Sequence, residues 1–138
     1  MLTYPAHIVK DDDIYLVRFP DLENVSTYGS SIEEALANAE EALNGCMESD
    51  FERNFVIPEP SLSDSPDEYQ IAVAANISLA IMLRRLRADR SQIEIARELN
   101  ISYQVYQRLE NPRKSNPTIK TLEKVARVFG KRVDLGFV

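Results

Sequence analysis

Cysteine, histidine and long apolar runs are almost missing from this chain, and each shortage closes off a class of function. The single cysteine, Cys46, excludes a disulfide framework and any cysteine-based zinc site. The single histidine, His7, offers no Ser/His or Cys/His pairing for nucleophilic catalysis, and no second metal-ligand type stands beside it at strand or helix spacing. The longest apolar run, Ile71 to Leu83, is interrupted by Asn76 and Ser78 and falls short of the roughly 20 residues that a membrane span needs. A strand followed by a buried helix accounts for it better than a membrane-surface helix does. The opening MLTYPAHIVKDDD has neither a basic region nor an apolar core of the leader type. A cytoplasmic protein without a membrane partner is expected.

Basic residues are also scarce, but only in the first half. The 138 residues are 44% hydrophobic and 28% charged, which is the balance of a soluble globular chain. The net charge of −6 would ordinarily argue against nucleic-acid binding. That average conceals a split: residues 1–70 hold three basic and sixteen acidic groups, net −13, and residues 71–138 hold thirteen basic and six acidic ones, net +7. Two domains with differently charged partners follow, a basic partner for the first and an acidic one for the second.

The segment Pro58 to Glu68, with three prolines, three serines and four acids, reads as a linker. Domains are expected at 1–74 and 75–138, each near the size at which a core is only marginally stable alone. Before the linker, LTYPAHIV and IYLVRF flank the Lys10 to Asp13 turn as a hairpin, and Val25 to Tyr28 forms a third short strand. Ser31 and Glu34 form a capping box that opens a helix, with Ile32, Ala35, Leu36, Ala39, Leu43, Cys46 and Met47 on its apolar face. A strand over Tyr69 to Ala74 completes a β-β-β-α-β unit, giving an α+β fold.

Chemistry is sparse in the acidic half. Asp11, Asp12 and Asp13 are neighbours in a turn and point in different directions, whereas a metal-dependent nuclease needs acids converging from separate elements. No catalytic residue, cofactor or metal is expected, and so no enzyme. Cys46 lies on the apolar stripe as an inert thiol, and His7 is structural or exposed. Tyr4, Tyr15, Phe19 and Tyr28, on or near the sheet, would anchor a protein partner if they are exposed.

From Arg84 onward the signal becomes specific, and the region resembles a helix-turn-helix of the Xre or phage-repressor type. Ser91 and Glu94 cap a helix whose buried side is Ile95, Ala96 and Leu99. Asn100 stands where this motif usually has glycine, as the next best residue for a left-handed turn. The second helix, Ser102 to Leu109, buries Tyr106 and Leu109, with Tyr106 in place of the usual aliphatic residue. Its outer residues Ser102, Tyr103, Gln104, Gln107 and Arg108 are expected to read base edges in the major groove, Gln104 suiting adenine and Arg108 guanine. The resemblance implies phosphate contacts from Gln92, Asn111, Arg113 and Lys114. A last helix, Thr118 to Phe129, ends at Gly130. The extended tail Lys131 to Val138 would pair with that of a second chain as a dimerisation strand.

Taken together, the Tyr4-Pro5-Ala6 start, Phe19-Pro20-Asp21-Leu22, the SSIEEALANAEEAL helix from Ser30 to Leu43 and Ile57-Pro58-Glu59-Pro60-Ser61 resemble the HicB-type antitoxins over nearly the whole chain. The resemblance implies a partial RNase H-like N-terminal domain without nuclease activity that blocks a small basic HicA-type toxin. It also implies a dimeric C-terminal domain that binds operator DNA and autorepresses the operon, with higher assemblies on toxin binding left open. Two departures stand near the partner surface: Asp13-Ile14 replace a common glycine, and Glu23-Asn24-Val25 replace a proline-glycine turn. A ligand-responsive repressor without a toxin, or a nuclease, are the competing readings.

Overall fold

The computed structural model describes residues 2–62 and 65–138. Ser63 and Asp64 of the expected linker lie outside the described residues. Two compact units meet between Ser78 and Leu79. This division falls a few residues beyond the expected one and inside a helix, because the first helical turn after the sheet stays with the first unit. Ser78 donates from its hydroxyl to the Val73 carbonyl at 3.2 Å. The described linker residues, 58–62 and 65–68, fall within the first unit.

The first unit is a four-stranded antiparallel sheet built from β1 (Thr3–Asp11), β2 (Ile14–Phe19), β3 (Leu22–Gly29) and β4 (Glu68–Ala72), in spatial order β3-β2-β1-β4. One helix, α1 (Ile32–Glu52), covers one face of it. Asp12, at φ 52°, takes the left-handed conformation in the β1–β2 turn, a position aspartate tolerates better than most residues. Asp11, Asp12 and Asp13 are all exposed. β3 begins earlier than Val25, because Pro20 and Asp21 alone make the turn and Leu22 already pairs with Phe19. Glu23, Asn24 and Val25 are not a loop; they form an irregularity within the strand at the register shift between Arg18 and Phe19.

α1 begins at Ser31, whose hydroxyl accepts from the Glu34 N–H at 3.1 Å. The reciprocal half of the expected capping box is displaced by one residue: Glu34 accepts from the N–H and hydroxyl of Ser30. These hydrogen bonds hold the Glu34 carboxyl below its usual range. The helix buries Ala35, Ala39, Leu43, Met47 and Phe51, an unbroken i, i+4 row, while Ile32, Leu36 and Cys46 sit at its margin. Gly29 lets the two layers touch. A Cβ there would lie 2.4 Å from the Ala35 nitrogen, so no larger residue fits without displacing backbone.

The second unit contains the end of α2 (Ala75–Arg87), then α3 (Gln92–Leu99), α4 (Tyr103–Leu109) and α5 (Ile119–Val128). Leu83, Ile95, Ala96, Tyr106, Leu109 and Val125 form its core, with Leu79, Leu99, Ile101, Val128 and Phe129 packed around them. α5 is capped by Thr118, which accepts from the Thr121 N–H at 3.1 Å, and Gly130 follows at φ 66°. Residues 131–138 form no regular element in the single chain. A strand is held by backbone bonds to a neighbour, and residues 131–138 do not join the sheet.

Candidate nucleic-acid interface

The geometry of the interface begins with a turn that ends one helix and starts another within three residues. Ser91 caps α3, accepting from the Glu94 N–H at 3.1 Å. At the far end Asn100 adopts φ 57°, ψ 43°, and the Ile101 N–H donates back to the Ala96 carbonyl at 3.0 Å. That is a Schellman-type closure, which requires a left-handed residue at the position asparagine occupies. Ser102 then caps α4, accepting from the Val105 N–H at 3.2 Å. Ala96 is buried at the crossing, where a small side chain permits close approach.

α4 buries Tyr106 and Leu109, and the helical period turns Gln104, Gln107 and Arg108 to the opposite, exposed side. Tyr103 is exposed at one flank and Val105 at the other. Ser102 is exposed, and with its oxygen accepting the cap bond its O–H and a second lone pair remain for an outward contact. Beyond α4 the chain is held in a tight local fold. Asn111 Oδ1 accepts from the Arg113 N–H at 3.0 Å, and the Asn111 carbonyl accepts from Lys114 and Ser115. Arg113 and Lys114 are thereby presented at the surface next to the end of α4.

A buried polar cluster fixes the base of this arrangement, and sequence reasoning did not find it. Arg87 of α2 donates to Glu110, the cap of α4, through Nε at 2.8 Å and Nη2 at 2.9 Å. Burial opposes ionisation of Glu110, but the paired Arg87 guanidinium outweighs it and holds the carboxyl below its usual range. Burial, reinforced by the Glu110 charge, pushes the Tyr106 hydroxyl up. Tyr106, where an aliphatic residue is usual, brings a buried hydroxyl that makes no hydrogen bond among the described residues. Gln92, the first residue of α3, is half-buried. The available signal was an Arg/Glu pair of opposite sign flanking a helix-turn-helix whose interior holds a tyrosine.

In the first unit, the expected aromatic anchors separate. Tyr4 and Phe19 are buried and offer no surface to a partner. Tyr4 points under α1 and donates its hydroxyl to the Pro58 carbonyl at 2.6 Å. Tyr15 is half-buried and Tyr28 exposed. Strand alternation explains the division, since Tyr4 and Phe19 lie on the apolar side of the sheet and Tyr28 on the other. His7 Nε2 lies 3.4 Å from the Glu68 carboxylate across the β1–β4 pair. Cys46 lies 3.5 Å from Asp50, and burial together with that neighbouring charge pushes its thiol up to about 11, so it is a poor nucleophile at neutral pH. Among the described residues, no three acidic, histidine or cysteine side chains gather as a metal site.

The second unit carries the whole positive balance of the chain, and its two capped helices set at a left-handed asparagine define a DNA-binding protein of the helix-turn-helix class. Residues 81–135 match a helix-turn-helix family, and residues 3–82 match the HicB_like antitoxin of bacterial toxin-antitoxin system. The chain is 32% identical over 136 residues to Antitoxin HicB 2 of Photorhabdus laumondii, covering 97% of this chain and 95% of that protein. It is 30% identical over 126 residues to Antitoxin HicB of Escherichia coli K12, covering 90% of each. A solved structure titled as a toxin-antitoxin complex from Streptococcus pneumoniae aligns with TM-score 0.48 and 24% identity, over 77% of this chain and 93% of that one. This chain belongs to the HicB antitoxin family.

Proposed function

We propose that the chain neutralises a small basic HicA-type toxin through its acidic first unit and, as a homodimer, binds operator DNA to repress its own operon. The observation that carries this reading is the division of charge at the structural boundary. Residues 1–78 hold every excess acid, net −13, and residues 79–138, with the helix-turn-helix, are net +7. Phosphate attracts the second unit, and a basic protein is attracted to the first. Gln104, Gln107 and Arg108 read bases, with Tyr103 and the Ser102 O–H at the margin. Asn111, Arg113, Lys114 and Gln92 hold phosphates.

Dimerisation through the second unit is supported by an apolar groove of about 580 Å³ between α2 and α5, lined by Met82, Leu86, Leu122 and Phe129 among others. The tail beside it exposes Leu135, Phe137 and Val138. Two-fold pairing there would set two α4 helices on a two-fold operator. The reading places the protein in the cytoplasm, with no catalysis and no cofactor of its own.

The test uses full-length protein, the DNA upstream of its own reading frame, and the small basic protein encoded beside it. Arg108→Ala is expected to weaken specific operator binding by about 1–3 kcal/mol while toxin neutralisation persists. Lys114→Ala is expected to weaken operator and random DNA alike and to lower the salt slope by about one. Equal effects of both substitutions on random DNA would sink the base-reading role. Failure of the wild type to neutralise the neighbouring protein would sink the antitoxin role.

A further inference from the structure

The first unit has an exposed apolar row that neither its core nor its charge explains. Val9 pairs with Leu16, and Leu16 with Tyr28, so these three side chains stand shoulder to shoulder across β1, β2 and β3. They occupy the sheet face turned away from α1. Gly29, next to Tyr28, is the residue that abuts the α1 backbone, and Ile8 and Val17, next to Val9 and Leu16, are buried. Alternation therefore sends the row outward. Val9, Leu16 and Tyr28 are 53%, 42% and 61% exposed. A solvated sheet face is expected to be polar, as the adjacent row His7, Arg18 and Ser26 is. A single exposed apolar residue needs no explanation, whereas three in register form a patch.

We propose that this open face, centred on Val9, Leu16 and Tyr28, is the surface on which the basic toxin docks. The proposal rests on the antitoxin reading above and adds the location and chemistry of the contact. Charge selects the occupant: the β1–β2 turn beside Val9 and Leu16 exposes Asp11, Asp12 and Asp13, Glu23 is exposed on β3, and Arg18 is the one basic residue of the adjacent row. An apolar centre on a unit of net −13 complements a basic protein that carries an apolar spot, and the unit's charge repels nucleic acid. The face is also held in place before binding. Asn38 of α1 donates to the Tyr28 carbonyl at 2.8 Å, fixing the edge strand so that little ordering remains on association. The acidic outer side of α1, with Glu33, Glu40 and Glu41 exposed, contributes long-range attraction rather than contact.

The decisive substitution is Leu16→Asp, because the two possible sources of affinity respond to it in opposite directions. Docking by charge alone would tighten with one more carboxylate, whereas docking on the apolar row weakens. Calorimetric titration of the full-length chain with an active-site-inactivated form of the neighbouring toxin is expected to show at least about a thirtyfold loss for Leu16→Asp. Tyr28→Ala is expected to lose about tenfold, Tyr28→Phe to stay near wild type, and Glu40→Gln with Glu41→Gln to lose less than about threefold. Leu16→Ser, which adds no charge, keeps the same sign should Leu16→Asp unfold. Wild-type binding with unchanged or tighter Leu16→Asp binding overturns the proposal and leaves the antitoxin reading standing. No wild-type binding removes both. A row substitution that changes the sedimentation of the free chain while toxin affinity is unchanged also overturns it, assigning the row to contact between copies.

Discussion

Arg87 and Glu110 meet as a two-pronged pair, Nε to Oε2 at 2.8 Å and Nη2 to Oε1 at 2.9 Å, and the same guanidinium donates to the Arg90 carbonyl at 2.8 Å. One side chain thus ties the end of α2, the loop leading to α3 and the cap of α4. The orientation of α4 relative to α2 and the loop before α3 depends on this contact.

Glu110→Gln leaves the Arg87 charge without its counterion. A loss of about 3 kcal/mol is expected in urea unfolding, the low end for a buried pair because Arg87 is partly exposed. Operator affinity should fall with it, since α4 loses its fixed base. Replacing both residues together, Arg87→Met with Glu110→Leu, is expected to recover most of the stability, because no unpaired charge remains.

The same pair makes the second unit acid-sensitive in a defined window. Glu110 has a folded pKa below its unfolded value of about 4.3, so its contribution is fully present above that value and disappears as pH falls through the folded pKa. Thermal melts between about pH 5 and pH 3 are expected to fall more steeply for wild type than for Glu110→Gln. Glu34, also held low by Ser30, is common to both proteins and cancels in the comparison. Parallel slopes would remove Glu110 as the source.

Gly29→Ala drives a methyl group into the Ala35 backbone, with contacts at 2.4 and 2.8 Å, where no flexible side chain can yield. A loss of about 1–3 kcal/mol is expected from overpacking, seen as a lower urea midpoint. Glycine at Gly45 is not required in this way, because nothing lies within 4 Å of a Cβ there. Gly45→Ala should instead stabilise α1 by about 1 kcal/mol.

Ala88, which ends α2, sits at φ 50°, in the left-handed region that disfavours a Cβ. Ala88→Gly is expected to raise the stability of the second unit by up to about 1 kcal/mol, the left-handed penalty outweighing the entropy of the added glycine. A lower urea midpoint would show that the neighbouring bonds, not this dihedral, set the turn.

Local chemistry made much of this fold legible. Ser91, Ser102 and Thr118 bond only to residues a turn away, so their caps are written in neighbouring letters, as is the left-handed turn at Asn100. The i, i+4 row of α1 and the buried pair Tyr106 and Leu109 follow from periodicity in the same way. The exchange of Ser30 for Ser31 as the donor to the Glu34 carboxylate shows the limit of that reasoning, because two adjacent serines offer equivalent donors in sequence and only Ser30 is placed to reach it.

What the amino-acid order determined alone was the pairing of an acidic α+β unit with a basic helix-turn-helix, since charge and periodicity need no partner to be read. What only the tertiary structure decided was which aromatics face outward, where the units divide, and which charges meet. Tyr4, Phe19 and Tyr28 look alike in sequence. Strand parity, the turn at Pro20-Asp21 and the position of α1 bury the first two and expose the third. Arg87 and Glu110 lie 23 positions apart, and nothing local joins them. Packing brings them together because a buried carboxylate needs a counterion, and the crossing of α2 with the end of α4 supplies one.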